Sequence, residues 1–245
     1  MLMPVIPLYR TDAVPHPQAQ VCVACEVRQA ALFGALDDAG LARIHEHIPS
    51  TEWAPDAVLW RRGERGSAAY TLRSGIVRFE RITSSGERRI VRLAGRGDLI
   101  GQQALLGEAY ADEAVACTPV RMCRLPAPMI QRMGAEEPAL LQELMRRWQR
   151  AVDEAEGWLA ELTTGPARRR LLRLLDRLAA DAEPGALLWM PRRDEIGDML
   201  NMTVETASRV VSQLRREGVL TLQGPRNATV EAAALRAALE AEDAG

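Results

Sequence analysis

Residues 191–220 read PRRDEIGDMLNMTVETASRVVSQLRREGVL, and this stretch predicts two short helices joined by a tight turn. The first helix covers about Arg192 to Leu200, with Ile196 and Leu200 on its inner face. Thr203 is a good N-cap, because its hydroxyl can accept a hydrogen bond from the first turn of the second helix. Two short helices connected by three or four residues match a helix-turn-helix.

The second predicted helix, Val204 to Glu217, has two different faces. Apolar side chains recur at 3-4-3 spacing on one face: Val204, Ala207, Val211 and Leu214. The other face carries small or polar side chains: Glu205, Ser208, Arg209 and Ser212. A polar front can enter the major groove of DNA, whereas a bulky apolar front would clash there. An ordinary amphipathic helical hairpin gives the same pattern, so the pattern alone leaves both interpretations open.

The start of this helix and the residues after it supply candidate DNA contacts. Arg209 can bond to O6 and N7 of guanine, and Glu205 can accept a hydrogen bond from N4 of cytosine. Beyond Gly218, two short apolar runs lie on either side of residues 224–227 and predict a small β-wing, in which Arg226 can contact a phosphate. The predicted DNA-binding set is Thr203, Glu205, Thr206, Ser208, Arg209, Ser212 and Arg226.

A second pattern, between residues 138 and 162, predicts a long helix with an interface. Pro138 suits a first helical turn. The apolar positions follow 4-3-4-3-4-3 steps, an a/d seam over three heptads: Leu141, Met145, Trp148, Val152, Ala155, Leu159 and Leu162. Such a seam favours pairing with the same helix of a second copy. A helix buried along one side of its own domain can show the same stripe.

The first half of the chain has a different character. Residues 1–20 contain four prolines without periodicity and predict a loose arm, and residues 28–48 predict a short helical stretch. From Trp53 to Pro126, glycines separate short apolar runs, and Thr83–Gly86 reads as a hairpin turn. Several short strands at this spacing indicate a β-roll or barrel. A further helix is predicted from Ala167 to Ala180, with leucines inside and arginines outside.

Composition and charge exclude some classes of protein. The chain has 245 residues, of which 47% are hydrophobic and 26% charged, and its formal net charge is −2. These values are ordinary for a soluble protein with a core. Residues 165–230 nevertheless hold eleven arginines against eight acidic residues, so this segment can bind phosphate locally. Neither a membrane-spanning run nor a signal peptide is recognisable, so we expect a cytoplasmic protein without a membrane partner.

The quoted segments resemble one family. TVETASRVVSQLRREGVL and DEIGDMLNMTVETASR resemble the recognition region of CRP/FNR-type transcription regulators, in particular the FNR-like branch. FERITSSGERRIVRLAGRGDLIGQQALLG resembles the cyclic-nucleotide-binding-type β-roll of that family. The resemblance implies an α+β fold with four parts: an arm with a CxxC motif (1–27), a sensory β-roll (28–134), a dimerisation helix (135–163) and a winged helix-turn-helix (164–245).

The resemblance also implies partners. Glu205, Ser208 and Arg209 stand where the FNR branch reads bases, which implies a two-fold symmetric target of the TTGAT…ATCAA kind, bound by a homodimer. It further implies contact with RNA polymerase, for which the hairpin Thr83–Gly86 is the candidate surface. We accordingly expect a transcription regulator that binds double-stranded DNA, and not an enzyme.

The ancestral ligand of such a roll is a cyclic nucleotide. Members that bind cyclic AMP carry a Gly-Glu pair for the ribose and an Arg-Ser or Arg-Thr pair for the phosphate. This chain has Gly101-Gln102 at the first pair and Ala111-Asp112-Glu113 near the second. Acidic side chains beside a phosphate would repel it, so cyclic AMP is not expected.

Four cysteines suggest other signals. Cys22 and Cys25 form a CxxC, and Cys123 aligns with the roll cysteine of FNR-type oxygen sensors, which hold an iron–sulfur cluster through four thiolates. The third N-terminal cysteine of that family is replaced by Ala31, and Cys117 restores the number to four. Three hypotheses stay open: a cluster that responds to oxygen or nitric oxide, a thiol redox switch or zinc clip at the CxxC, and cysteines without a sensing role.

Two further alternatives differ in class or in signal. A thiol-disulfide redox protein would use the CxxC pair, but such a motif normally follows a strand and opens a helix, and here it follows a proline-rich arm. A regulator that responds to a small ligand, with no metal centre, is also compatible with the sequence.

Overall fold

The computed structural model describes residues 17–44, 47–180 and 187–243. Its helices are α1 (Pro17–Val23), α2 (Asp38–Ala42), α3 (Ala127–Glu136), α4 (Pro138–Gly157), α5 (Ala167–Ala180), α6 (Arg193–Leu200), α7 (Val204–Arg216) and α8 (Ala232–Asp243). The strands of the first half are β1 (Ser50–Trp53), β2 (Val58–Trp60), β3 (Ala68–Ser74), β4 (Val77–Ile82), β5 (Arg88–Ala94), β6 (Leu99–Ile100), β7 (Glu113–Ala116) and β8 (Val120–Pro126). Three more strands follow: β9 (Leu188–Trp189), β10 (Leu220–Leu222) and β11 (Asn227–Val230). The expected α+β fold is confirmed.

The first eight strands form the predicted roll. They make two four-stranded antiparallel sheets, in the orders β1-β8-β3-β6 and β2-β7-β4-β5. Strands β4 and β5 form a hairpin whose turn is closed by hydrogen bonds between Thr83 and both Gly86 and Glu87. Gly86 has φ +84°, a left-handed conformation that glycine adopts without strain. The hairpin projects one edge of the roll toward the C-terminal domain.

The segment before the roll differs from the prediction. The helical stretch expected over 28–48 is a 3₁₀ turn, Leu32–Ala35, followed by the short helix α2. Leu36 follows the 3₁₀ turn, and Asp37 caps α2, because its carboxylate accepts a hydrogen bond from the backbone N–H of Gly40 at 2.7 Å. The apolar side chains that suggested one helix instead pack as separate turns against α3 and α4.

Helix α4 begins at Pro138, as predicted, and runs for 20 residues. It continues as a π-helical turn, Trp158–Leu162, into the C-terminal domain. One face of α4 is buried against the roll and the N-terminal segment through Leu140, Leu144 and Arg147. The predicted a/d stripe lies on a different face, so the helix has both a buried side and an apolar exposed side.

The C-terminal domain has one apolar core shared by α5, α6, α7, α8 and the sheet β10-β11-β9. The five leucines predicted to face inward on α5 are all buried. Strands β10 and β11 form the predicted wing hairpin. Ile90 and Cys117 of the roll are part of the same cluster, so the roll and the C-terminal domain are packed against each other.

The basic character of α5 is neutralised within the domain. Arg168 pairs with Glu217 at 2.8 Å and with Glu242 at 2.6 Å, and Arg169 and Arg173 both pair with Asp243. Two of these acidic residues, Glu242 and Asp243, belong to the C-terminal helix α8. The positive excess that the sequence suggested for phosphate binding must therefore come from other arginines.

No helix among the described residues is long and apolar enough to cross a membrane.

Candidate nucleic-acid interface

The turn between α6 and α7 has the geometry of a helix-turn-helix. Asn201 ends α6 in a left-handed conformation, with φ 52° and ψ 54°. Thr203 caps α7, because its hydroxyl accepts a hydrogen bond from the backbone N–H of Thr206 at 3.2 Å. Gly197 allows the two helices to approach, since a Cβ there would lie 2.6 Å from the carbonyl oxygen of Met202. These local features fix the direction in which α7 leaves the turn.

Helix α7 separates a buried back from an exposed front. Ala207, Val210, Val211 and Leu214 are buried in the domain core. Val204, which the sequence pattern placed on the inner face, is 45% exposed, so that prediction was wrong for this residue. It belongs to the first turn, where the helix end projects beyond the core. The exposed front carries Glu205, Arg209 and Ser212, as predicted.

The predicted polar residues differ in how far they are already engaged. Thr203 and Thr206 hydrogen-bond to each other, and the hydroxyl of Ser212 donates to the carbonyl oxygen of Ser208 at 2.8 Å. Hydrogen bonds from its own backbone N–H and from the Thr203 side chain lower the pKa of Glu205. Glu205 is therefore an ionised carboxylate near neutral pH and can act as an acceptor.

Arginines without an acidic partner lie on the same side of the domain. Among the described residues, Arg209, Arg215 and Arg216 form no ion pair and are exposed. Burial, and then the nearby charge of Arg215, lower the pKa of Arg193. Two arginines close together without a carboxylate between them are suited to bind an anion such as phosphate.

Sequence reasoning missed Arg193, Arg215 and Arg216. Ser212, Arg215 and Arg216 line a groove of about 460 Å³ between the end of α7 and strand β10. The sequence does show two arginines in the last turn of α7. Basic residues are common at that position because they interact favourably with the helix dipole, so they did not by themselves indicate a phosphate contact. Only the three-dimensional structure shows that they face an open groove.

Arg226 lies in the wing, as predicted, but its side chain is engaged within the domain. Its guanidinium pairs with Glu195 at 2.6 Å and lies over the ring of Trp189, 5.4 Å from the ring centroid. Glu195 is completely buried, and Arg226, Arg78 and Arg192 together neutralise its carboxylate. A phosphate would therefore have to compete with Glu195 for the guanidinium of Arg226, and the predicted phosphate contact of this residue stays a prediction.

The predicted seam on α4 is an exposed apolar stripe over most of its length. The exposed members are Leu141, Met145, Trp148, Val152, Ala155 and Leu159. Leu162 is the exception, because it is 2% exposed and packs in the core of the C-terminal domain. The π-helical turn at the end of α4 rotates this residue inward, so the stripe ends at Leu159.

The interior of the roll is filled by aromatic side chains. The ring of Trp60 stacks on that of Tyr110 at 4.4 Å and on that of Tyr70 at 5.6 Å between centroids. Gly101 and Gln102, where cyclic-AMP-binding members carry their Gly-Glu pair, lie beside this cluster, and Gln102 is buried. Asp112 is held by an ion pair with Arg81 at 2.6 Å. The expectation that cyclic AMP is not the ligand stays a prediction, which rests on the residues at these two positions.

The four cysteines are not brought into one site. Cys22 and Cys123 pack against the same apolar cluster, whereas Cys117 is buried in the C-terminal cluster, with its sulfur 4.0 Å from Arg78. Cys22, Cys25 and Cys123 are near enough for their charges to interact. Burial raises the pKa of Cys22, raises that of Cys123 to about 11 and raises that of Cys117 to about 12. These three thiols are therefore protonated at neutral pH.

The residues present do not fit the four-iron cluster of the oxygen sensors. Ala31 takes the place of the third N-terminal ligand and is buried, and Cys117 lies in a different cluster. In the part of the chain that the structure describes, no group of three or more His, Cys, Asp or Glu side chains is arranged to hold a metal ion. Cys117, which restores the number of cysteines to four, packs in a different apolar cluster from Cys22 and Cys123.

A β-roll joined by a long helix to a winged helix-turn-helix defines a DNA-binding transcription regulator. Comparisons with known proteins agree: residues 50–137 match the cyclic nucleotide-binding domain, and residues 169–238 match the Crp-like helix-turn-helix domain. The chain belongs to the CRP/FNR family and is not an enzyme.

Relatives and solved structures show the extent of the similarity. The fumarate and nitrate reduction regulatory protein of Vibrio cholerae is 24% identical over 83% of this chain and 84% of its own. Transcriptional activator protein FnrA of Stutzerimonas stutzeri is 28% identical over 68% of this chain and 70% of its own. The structure of FixK2 from Bradyrhizobium japonicum has a TM-score of 0.71 at 22% identity, covering 82% of this chain and 99% of FixK2.

Proposed function

We propose that the protein acts as a homodimer that reads a two-fold symmetric DNA site of the TTGAT…ATCAA kind. The observation that carries this proposal is the exposed front of α7, where an ionised Glu205 and an unpaired Arg209 stand one helical turn apart. A carboxylate and a guanidinium at this spacing can read cytosine and guanine in neighbouring base pairs. Ser208 and Ser212 are small side chains beside Glu205 and Arg209, so the front of α7 can enter the major groove of DNA.

Phosphate contacts would position this helix on the duplex. Three arginines give the exposed front of α7 a positive border. Arg215 and Arg216 line the protein groove beside β10, and Arg193 is at the start of α6. Contacts of this kind supply affinity without sequence information. These three arginines are additional candidates for the phosphate contact that the sequence predicted for Arg226.

A second copy would bind through the apolar stripe of α4. Its members lie on one side of the helix and are exposed, including Met145 at 60% and Leu159 at 66%. Exposed apolar residues in a continuous heptad row are typical of a helix that pairs with a partner helix. Pairing would place two α7 helices on a symmetric site.

The hairpin turn Thr83–Gly86 is the surface that we propose for RNA polymerase. Ile82, at its base, is 55% exposed. The division into an arm (1–27), a sensory roll (28–134), a dimerisation helix (135–163) and a DNA-binding domain (164–245) is part of the same proposal. The likeness of the roll and the helix-turn-helix to the matched family domains supports this division.

A titration of duplex DNA tests the proposed function. Full-length protein is titrated into a fluorescent duplex with two TTGAT half-sites in inverted order, a duplex with one half-site, and a scrambled duplex. We expect one dimer per symmetric duplex, and affinity at least roughly a thousandfold above the scrambled one at physiological salt. Equal affinity for all three duplexes would contradict the proposal.

Redox control stays a hypothesis, and its cluster form leads to a clear prediction. Because Ala31 and Cys117 do not complete a ligand set, protein purified without oxygen should lack stoichiometric iron and acid-labile sulfide. Its DNA affinity should not change on exposure to air, since the raised pKa values of Cys22, Cys117 and Cys123 slow the oxidation of these three thiols. Stoichiometric iron with a visible absorption band that air bleaches would overturn this expectation. The control is an Ala31→Cys variant, which restores the missing thiol.

A further inference from the structure

We propose that the sensory roll holds the helix-turn-helix in its DNA-reading orientation through an ionic contact, with Arg88 as its positioning residue. We call this surface the hairpin–α6 contact: Arg78, Arg88 and Arg89 of the β4–β5 hairpin against Asp194, Glu195, Asp198 and Asn201. The inference rests on the proposed function, because it concerns how the DNA-binding helix is positioned.

Arg88 is the centre of the contact. Its guanidinium lies 2.6 Å from Asp198 and 3.2 Å from Asp194, and Glu80 of the same hairpin lies 3.7 Å away. The Arg88 side chain is about one-third exposed, so one pair alone contributes little to stability. The geometry nevertheless ties one side chain of the roll to two positions, one turn apart, on α6.

A buried pair continues the contact inward. Arg78 of β4 is almost buried and lies 3.4 Å from Glu195 of α6, which has no exposed surface. Arg226 of the wing pairs with the other oxygen of the same carboxylate. Glu195 is therefore shared between the roll and the wing, and a rotation of the C-terminal domain would separate the two buried charges of Arg78 and Glu195.

The contact reaches the start of α7. Arg89 donates a hydrogen bond to the side-chain oxygen of Asn201, the left-handed residue of the turn. Residues 87–89 and residues 201–205 line one cleft of about 620 Å³. The hairpin thus lies beside the first turn of α7. Arg209 and Ser212 remain exposed, so the hairpin–α6 contact leaves this part of the front of α7 open to DNA.

Charge complementarity gives the contact a second effect. The first helix of a helix-turn-helix crosses the DNA backbone, where the carboxylates of Asp194 and Asp198 would repel phosphate. The arginines of the roll neutralise these carboxylates. Loss of the contact should therefore weaken DNA binding both by freeing the domain and by exposing negative charge.

Alanine variants of the two partners test the proposal. We expect Arg88→Ala to lower affinity for the symmetric duplex by roughly two- to thirtyfold, the range of typical coupling effects. Asp198→Ala should lower it by a smaller factor, because this variant also removes a carboxylate that repels phosphate. The double variant should bind no more weakly than Arg88→Ala, because Arg88→Ala already removes the pair with Asp198 together with the pair with Asp194. Arg81→Ala is the matched control: Arg81 is on the same hairpin but pairs with Asp112 of the roll, so its affinity should stay near wild type.

Asp198→Ala separates positioning from direct contact with DNA. If Arg88 bound phosphate itself, removing Asp198 would free Arg88 and raise affinity, which would overturn the proposal. Hydrogen exchange supplies a readout without DNA: residues 78–94 should exchange faster in Arg88→Ala than in wild type or Arg81→Ala. Wild-type affinity and exchange in both single variants would also overturn it. The two readouts also separate this proposal from the proposed function. If the wild-type protein did not bind DNA but hydrogen exchange were still faster in Arg88→Ala, the proposed function and the DNA-reading role would be overturned. The hairpin–α6 contact itself would stand.

Discussion

Arg209→Ala is expected to lower affinity for the symmetric duplex by roughly ten- to a hundredfold per half-site, the value of a good two-pronged base contact. Arg209 is exposed and has no ion pair among the described residues, so its removal leaves the fold intact. Affinity for the scrambled duplex should change little, since non-specific binding depends on phosphate contacts. The measurement is a pair of titrations with the two duplexes.

Arg216→Ala is the matched control on the same helix. As a phosphate contact it should weaken binding to both duplexes by a similar factor and reduce the salt dependence. If Arg209→Ala instead affected both duplexes equally, Arg209 would be a phosphate contact, and the assignment of α7 as the base-reading surface would have to be abandoned.

Met145→Glu should convert the dimer into a monomer. Met145 belongs to the exposed stripe and is 60% exposed, and pairing with a second α4 would bury its side chain. A carboxylate there would be desolvated and would face its own copy across the symmetry axis, so the paired state becomes unfavourable. Loss of the second half-site should reduce affinity for the symmetric duplex by a factor on the order of 10² to 10⁴.

Analytical ultracentrifugation at micromolar concentration measures the expected change in mass. Ala139→Glu is the control, because Ala139 is exposed and lies about a third of a turn around α4 from Met145. It should remain dimeric. A Met145→Glu protein that is still dimeric, with normal DNA affinity, would show that the stripe is not the interface.

Features that depend on short-range patterns were predictable from the sequence. Residues 204–216 form a helix with the expected polar front, because N-cap chemistry at Thr203 and 3-4-3 spacing are local properties. The same holds for the start of α4 at Pro138 and for the hairpin turn at Gly86. The exposed members of the α4 stripe could also be identified, since heptad spacing fixes which side chains share a face.

Features that depend on distant neighbours were not predictable. The sequence pattern around Arg226 does not reveal its partner, because the buried Glu195 lies 31 residues earlier in the chain. Arg88 and Asp198 are separated by 110 residues, so their pairing has no local signal. Leu162 left the stripe because a π-helical turn interrupts the regular 3.6-residue period on which the heptad argument depends.

Selection of bound duplexes from a random pool tests whether α7 reads a symmetric DNA sequence, because it assumes nothing about the target. Full-length protein is incubated with the pool at physiological salt, and the bound sequences are recovered and aligned. We expect a two-fold symmetric sequence with a guanine in each half-site, which Arg209→Ala no longer selects. Recovery of sequences without symmetry, or without any shared bases, would contradict this expectation.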